Sequence, residues 1–205
     1  MTAPAPTVFV VDDDSVLLFL MRGILCEAGH RVEVFDAPEA LIERLSPRDR
    51  GCVVLDLRMP ALSGLEVQQV LAARGVRLPL IFVSGRADVP AVVAAIKGGA
   101  VDFLAKPIER RELRAVVERA LQRDAESAAE RAGREQDRAR WGTLSPRERE
   151  VCRRFAKGLS DKQIAADLGT AARTVQAQRA GALRKLGVAS AVDVARLLER
   201  VGDGS

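Results

Sequence analysis

The sequence is poor in aromatic residues, which make up only 3% of its 205 residues, and it contains a single histidine. Its hydrophobic cores must therefore consist mainly of Val, Leu, Ile and Ala. His30 directly follows Gly29 and is assigned to a turn. A single histidine argues against a histidine-based metal site and against a Ser-His-Asp catalytic triad.

Cysteine and long apolar runs are also scarce. The three cysteines, Cys26, Cys52 and Cys152, are odd in number, far apart and in apolar surroundings. This pattern predicts buried, reduced thiols in a cytoplasm rather than a disulfide or metal set. No apolar run approaches the ~18 residues of a membrane span. The stretch Met1–Pro6 is too short for a signal peptide. We therefore expect a cytoplasmic protein with no membrane partner.

The net charge of +4 is unevenly distributed along the chain. Residues 1–108 carry a net charge of −2, residues 109–141 carry +1, and residues 142–205 carry +5. A basic segment joined to an acidic one suggests a nucleic-acid-binding module attached to something else.

The first 108 residues alternate short apolar runs with amphipathic segments. Runs of about five Val, Ile and Leu residues are typical of strands buried on both faces of a parallel sheet. Ser63 and Asp88 occupy expected N-cap positions. The pattern predicts an α/β fold, a (βα)5 doubly wound parallel sheet, with strands near 7–11, 31–35, 51–55, 79–83 and 101–105 and helices near 15–28, 37–45, 64–74 and 89–98.

The segment from Glu109 to Trp141 contains no proline and only Gly133 as a helix breaker. Its alanines and valines form a stripe among charged residues, which predicts a long linker helix. Two interpretations remain open at this stage. The helix either pairs with a second copy as a weak Ala-rich coiled coil, or it is solvated and frayed near Gly133.

Residues 142–205 show four helical patterns and no strand, which predicts an all-α four-helix domain. Ser145, Pro146 and Glu148 form a capping box at the start of the first helix. Two short helices joined at Gly169 are typical of a helix-turn-helix. We expect the domains to span residues 1–121 and 142–205, with a helical linker at 122–141.

Charged and polar residues follow the apolar runs of the first domain. Asp12 and Asp13 follow the first run, Asp56 and Ser84 end two others, and Lys106 follows the last. In a parallel sheet these ends lie along one edge, where open α/β sheets bind their ligands. Clustered carboxylates favour a hard cation such as Mg²⁺, and a cation with a lysine suits a phosphoryl group.

This arrangement resembles the receiver domain of two-component response regulators. The resemblance lies in Asp12-Asp13, Leu55-Asp56-Leu57-Arg58-Met59-Pro60, Ser63-Gly64, Ser84-Gly85 and Asp102-Phe103-x-x-Lys106-Pro107. It implies that Asp56 is the phosphoacceptor nucleophile. Mg²⁺ would be bound by Asp13, Asp56 and the main-chain carbonyl of Arg58, with Asp12 acting mainly through water.

The same resemblance assigns the remaining residues of this edge. Lys106 would bind the phosphoryl oxygens, and the Lys106-Pro107 bond is expected to be cis. Ser84, Gly85 and Phe103 would form the switch, in which the serine hydroxyl bonds the phosphoryl group and the aromatic ring rotates. The face formed by residues 88–98 and 101–105 would then support a homodimer on phosphorylation.

Residues 142–205 resemble the LuxR-type helix-turn-helix of NarL/FixJ regulators, through Leu144-Ser145-x-Arg147-Glu148, Gly158-Leu159-Ser160, Thr174-Val175 and Lys185-Leu186-Gly187-Val188. Ala171 departs from a frequent capping serine, and Thr170 is a possible substitute. Gln176, Gln178 and Arg179 are expected to reach bases, with Gln178 and Arg179 flanking the outward side of the helix. The whole set of expected DNA-binding residues is Lys162, Arg173, Thr174, Gln176, Ala177, Gln178, Arg179 and Arg184.

The resemblance implies a transcriptional regulator rather than an enzyme. Its partners would be a sensor histidine kinase and double-stranded promoter half-sites, and a regulator of this kind can also contact RNA polymerase. One alternative is an orphan regulator controlled without phosphorylation. A remote alternative is an aspartate-nucleophile phosphatase that uses Asp12, but the cap and the second acidic pair of that class are missing from the sequence.

Overall fold

Five parallel strands form the sheet of the computed structural model, which describes residues 5–85, 93 and 95–202. The strand order β2-β1-β3-β4-β5 reverses direction between β1 and β3 and confirms the predicted doubly wound sheet. The strands are β1 Thr7–Val11, β2 Arg31–Phe35, β3 Gly51–Asp56, β4 Leu80–Ser84 and β5 Asp102–Ala105.

Two of the three helices that the structure describes in full between these strands begin at side-chain caps. Asp14 and Ser63 accept main-chain N–H groups at the starts of the first and third helices, and Ser63 completes a capping box with Glu66. The helices are α1 Ser15–Glu27, α2 Pro38–Arg44 and α3 Gly64–Ala73. The predicted helix near 89–98 is described only at residues 93 and 95–97, which are helical; Asp88, Val89 and Val92 lie outside the described residues.

The sheet is buried on both faces, as the continuous apolar runs predict. Strands β1, β3 and β4 are buried at every residue. Alternate strand residues point into two hydrophobic clusters, so Val8 and Val10 pack on one side and Phe9 and Val11 on the other. Gly64 is required where α3 begins, because a Cβ there would lie 2.7 Å from the main-chain oxygen of Asp56.

A single helix, α4 (Arg110–Gly142), contributes to both of the compact units into which the chain divides, residues 1–127 and 128–205. It continues through Gly133 without fraying there, so that part of the solvated-helix interpretation is wrong. Pairing of α4 with a second copy stays a prediction. Its buried residues include Leu113 and Val117 in the first unit and Trp141 in the second.

The second unit contains the four predicted helices after α4. They are α5 Pro146–Ala156, α6 Asp161–Asp167, α7 Ala172–Leu186 and α8 Ala191–Val201. Ser145, Ser160 and Ser190 each form a complete capping box. The expectation that Thr170 caps α7 is wrong, because the N-cap is Ala171 and no side chain bonds the helix start.

The cysteines correct one expectation and confirm another. Cys52 and Cys152 are buried thiols, and burial raises their pKa to about 12 and about 11, respectively. Cys26 is exposed, contrary to prediction, because it lies on the outward side of α1 while Leu25 points into the core. Among the described residues, no helix combines the length and apolarity that a membrane crossing requires.

Asp124 anchors α4 to the sheet and lies beyond the residues predicted for the first domain. It is 1% exposed, and its Oδ2 accepts hydrogen bonds from the Gly51 amide at 3.0 Å and from Arg50 Nε at 2.7 Å. Gly51 is the first residue of β3, whose last residue is Asp56. The anchor therefore fixes α4 at the opposite end of the strand that carries Asp56.

Asp124→Ala should destabilise the first unit by about 2–4 kcal/mol, because it leaves the buried Gly51 amide without its acceptor and removes the partner of Arg50. Urea denaturation followed by circular dichroism measures this. Glu126→Ala, at an exposed position of the same helix, is the matched control and should change stability by less than about 0.5 kcal/mol. Equal effects of the two substitutions would contradict the anchoring role.

Candidate phosphoacceptor site and DNA-binding surface

The carboxyl ends of β1, β3, β4 and β5 bring together the polar residues that the sequence places there. Lys106 Nζ lies 2.8 Å from Asp12 Oδ2 and 3.4 Å from Asp56 Oδ2. Carboxylate oxygens of Asp12, Asp13 and Asp56 all lie within 4.8 Å of one another. The expected grouping of these four side chains is therefore present.

Main-chain hydrogen bonds fix the residues on either side of this cluster. The Asp14 amide donates to Asp12 Oδ1 at 2.9 Å. The Lys106 amide donates to the Ser84 carbonyl at 2.8 Å, which joins the end of β4 to the residue that follows β5. The Lys106-Pro107 bond is cis, as predicted. Gly85 and Pro107 are exposed beside the site.

Burial and neighbouring charge set the ionisation of the cluster. Asp56 is 5% exposed, and this burial, reinforced by the negative charge of Asp12, raises the pKa of Asp56. Lys106 and the main-chain amide of Arg58 oppose that rise. Burial lowers the pKa of Lys106, but its hydrogen bond to Asp12 and the charges of Asp12 and Asp56 outweigh burial and raise it.

The donor set fits a hard divalent cation. Asp12, Asp13 and Asp56 offer only oxygen ligands, and three carboxylates exceed the single positive charge of Lys106. Hard cations such as Mg²⁺ prefer oxygen ligands. Asp13 is exposed, so one side of the cluster is open to an incoming ion or phosphoryl group.

The two expected switch residues differ in burial. Ser84 is buried at the end of β4, next to Gly85. Phe103 is half-buried on β5 and packs against the hydrophobic cluster that contains Phe82. Beyond β4, Val93 and Ile96 are 43% and 57% exposed, whereas Ala95 between them is buried.

A second candidate surface lies on α7. Its buried side is formed by Val175, Ala182 and Leu186, and Leu183 is half-buried. The placement of Gln178 and Arg179 beside the outward side is corrected, because both are half-buried. The exposed members of the expected set are Lys162, Arg173, Thr174, Gln176, Ala177 and Arg184, together with Ala180.

Sequence reasoning missed Asp161, the first residue of α6. Its Oδ1 lies 3.1 Å from Arg179 Nη1 on α7. Nothing in the local sequence indicates this pair, because the two residues are far apart along the chain and meet only when α6 and α7 pack together. The one available signal was the helical spacing of Arg179 from Val175 and Leu186, which places Arg179 near the buried side of α7.

Both halves of the chain match known protein families. Residues 8–118 match the response regulator receiver domain, and residues 142–198 match the bacterial regulatory proteins of the luxR family. Transcriptional regulatory protein FixJ from Bradyrhizobium diazoefficiens is 39% identical over 95% of this chain and 95% of its own length. Nodulation protein W from the same organism is 37% identical over 95% of this chain and 86% of its own length.

Solved structures agree with these matches. The structure of the response regulator StyR has a TM-score of 0.85 and 39% identity, and the match covers 96% of this chain and 100% of that one. Full-length FixJ from B. japonicum has a TM-score of 0.58 and 36% identity, with 96% of this chain and 97% of that one covered.

Asp56→Asn should stabilise the first unit in metal-free buffer at neutral pH. The pKa of Asp56 is raised in the folded state, so its ionisation destabilises that state, at about 1.4 kcal/mol per unit of pKa. The stabilisation should be absent at pH values below the unfolded-state pKa, where both states are protonated. It should grow as pH rises and become complete above the folded-state pKa.

Thermal denaturation between pH 3 and pH 8 measures this difference, and Asp36→Asn, at an exposed position of the same unit, is the control. A stability difference that is constant across this pH range would contradict the assignment of the raised pKa to Asp56.

Proposed function

This chain belongs to the bacterial response regulators that join a receiver domain to a LuxR-type helix-turn-helix domain, and on that premise we propose that phosphorylation of Asp56 controls its binding to DNA. The observation that carries the proposal is the position of Lys106 between Asp12 and Asp56 at the carboxyl edge of the sheet. The phosphoryl donor is a sensor histidine kinase, and the receiver family supports that partner.

In the proposed reaction, a carboxylate oxygen of Asp56 attacks the phosphorus atom and forms an acyl phosphate. The bond from phosphorus to the histidine nitrogen of the donor breaks, and that nitrogen keeps the electron pair. Lys106 opposes the rise in the pKa of Asp56 and so favours the ionised nucleophile. Its ammonium also offsets the negative charge of the incoming phosphoryl oxygens.

Mg²⁺ would be held by Asp13, Asp56 and the main-chain carbonyl of Arg58, with Asp12 acting through water. When bound, the ion supplies positive charge to the carboxylates and to the phosphoryl oxygens. The acyl phosphate is a regulatory state rather than an intermediate in enzymatic turnover. Since the proposed target of the protein is the bacterial chromosome, its proposed site of action is the cytoplasm.

The phosphoryl group would act on the rest of the protein through Ser84 and Phe103. A phosphoryl group adds about −1.5 to −2 charges beside a buried hydroxyl, which is enough to bias an element with two conformations. The half-buried Phe103 pairs with Phe82 on the neighbouring strand, two residues before Ser84 and on the same face of the sheet, so it can respond to movement of that hydroxyl. We expect the response to favour a homodimer through the surface of Val93 and Ile96 and β5.

DNA recognition is proposed for the exposed side of α7. Gln176 is exposed there and can bond adenine in the major groove. Lys162, Arg173 and Arg184 are exposed cations suited to phosphates, which position a protein on DNA without specifying sequence. A single domain with so few base-contacting side chains would need a dimer on two half-sites to gain useful specificity. RNA polymerase is a further proposed partner at promoters.

Small phosphodonors should label wild-type protein only in the presence of Mg²⁺, through an acid-stable bond that hydroxylamine cleaves. Asp56→Asn should abolish labelling because it removes the nucleophile, and Asp13→Asn should reduce it sharply because it removes a metal ligand. Asp36→Asn, an exposed position of the same unit, is the control. Labelling that survives Asp56→Asn but is lost in Asp12→Asn would favour the phosphatase alternative.

Beryllofluoride with Mg²⁺ should convert wild-type protein from monomer to dimer in sedimentation experiments. Ile96→Asp should prevent this, because it places a charge at a 57% exposed apolar contact. Phe19→Asp, at an exposed position of α1, is the control and should dimerise normally. No change in the mass of wild-type protein would rule out dimerisation on phosphorylation.

Gln176→Ala should cost about 1–3 kcal/mol of binding free energy on the cognate site and much less on random DNA. Lys162→Ala should weaken both alike and flatten the salt dependence, because it removes a phosphate contact. Fluorescence anisotropy at several salt concentrations measures both effects. If the two substitutions weaken cognate and random DNA by equal factors, the recognition surface lies elsewhere.

A further inference from the structure

Three arginines of α7 lie in different environments. Arg173 and Arg184 are exposed, and Arg179 is half-buried. Successive residues of a helix lie about 100° apart, so Arg173, Gln176, Ala177, Ala180 and Arg184 fall within an arc of about 100°. Arg179 lies about 110° from the centre of that arc and only about 40° from the centre of the buried side.

Contacts within the domain account for the position of the Arg179 guanidinium. Its Cζ lies 4.8 Å from the centroid of the Phe155 ring on α5, and its Nη1 lies 3.1 Å from Asp161 Oδ1 on α6. Phe155 itself packs against both hydrophobic clusters of the second unit. One side chain of α7 thus contacts both preceding helices.

The partner carboxylate is placed where it controls another expected DNA contact. Asp161 is the first residue of α6, directly after the N-cap Ser160 and directly before Lys162. The planar guanidinium of arginine is pre-organised, so it loses less side-chain entropy than a lysine would when it is held between a ring and a carboxylate. The Asp161–Arg179 pair therefore sets how the start of α6, and Lys162 with it, lies relative to the exposed side of α7.

We propose that Arg179 is a positioning residue for DNA binding and contacts neither bases nor phosphates. This inference rests on the proposed binding of DNA by α6 and α7. Through Asp161 and Phe155, Arg179 fixes α7 against α6, so that Gln176 and Lys162 meet one duplex together. It acts through these two residues, which lie on α5 and α6.

If Arg179 contacts no base, the remaining side chains of α7 limit which bases can be recognised. Along the length of α7, the arc residues between Arg173 and Arg184 are Gln176, Ala177 and Ala180, so without Arg179 the middle of the helix offers no arginine or lysine to bases. Glutamine pairs with adenine, and alanine makes apolar contact with the thymine methyl group. The centre of each half-site should consequently be recognised as A·T pairs, and guanine should not be recognised there.

Asp161→Asn gives the test, because the two possible roles of Arg179 predict opposite changes in DNA affinity. Removing a negative charge beside DNA, and releasing an arginine, should strengthen binding if Arg179 is a DNA contact held back by Asp161. Positioning predicts the opposite, a loss of about tenfold on cognate and random DNA alike. The double variant Asp161→Asn/Arg179→Gln should lose no more than Arg179→Gln alone, because the two residues act as a unit.

The assay uses full-length protein with beryllofluoride and a duplex selected from a randomised pool by wild-type protein. Its salt dependence separates positioning from simple destabilisation. A variant that is merely less folded binds less DNA, but the slope of its log affinity against log salt concentration is unchanged. Loss of the Lys162 contact instead reduces that slope. Arg173→Gln, the same change at an exposed position of the same helix, is the matched control and should add its loss to that of Asp161→Asn.

On the selected duplex, replacing the central thymines by uracil should weaken wild-type binding about fourfold through loss of the methyl contacts. Placing a G·C pair in the half-site centre should weaken binding, and replacing that guanine by 7-deazaguanine should then change the affinity no further. Tighter binding by Asp161→Asn, additive losses in the double variant, or sensitivity to 7-deazaguanine would each overturn the proposal. Failure of wild-type protein to select any duplex would instead contradict the proposed DNA-binding function, and this inference with it.

Discussion

Two buried carboxylates at one end of an apolar sheet are the constraint on which the rest of the structure depends. Burial removes the carboxylate of Asp56 from solvent and the negative charge of Asp12 lies beside it, and both effects, burial first, raise the pKa of Asp56. Lys106 offsets this rise only in part, because one positive charge faces three clustered carboxylates. The edge of the sheet is therefore suited to bind a cation and a phosphoryl group, and the buried strands fix its geometry.

Helix α4 is shared by the cores of both units. In the first unit, the buried Asp124 bonds the beginning of β3, the strand that ends at Asp56. In the second unit, Asp137 pairs with Arg200 at 2.7 Å, and Trp141 enters the hydrophobic cluster. The strand that ends at Asp56 is thus in direct contact with the helix that continues into the second unit.

Much of the fold, and the grouping of Asp12, Asp13, Asp56 and Lys106 at one edge of the sheet, could be predicted because local sequence determines them. Apolar runs set the strands, Ser63 and Ser145 set helix starts, and residues at strand ends meet at one edge of a parallel sheet. Interactions between distant residues could not be predicted this way. The pairs of Asp124 with Arg50 and of Asp161 with Arg179 depend on how helices pack, and neither has a local pattern. Thr170 does not cap α7, because the helix begins at Ala172 and its N-cap position is occupied by Ala171, which has no side-chain acceptor.

We propose that the state of Asp56 controls DNA binding by the second unit. The most direct test is the affinity of full-length protein for one selected duplex, measured with Mg²⁺ in the presence and absence of beryllofluoride. Such control predicts about tenfold tighter binding with beryllofluoride, within the usual range of coupling between two sites, and no response in Asp56→Asn. Equal affinity of the wild-type protein in both conditions would contradict it and would favour a regulator controlled without phosphorylation.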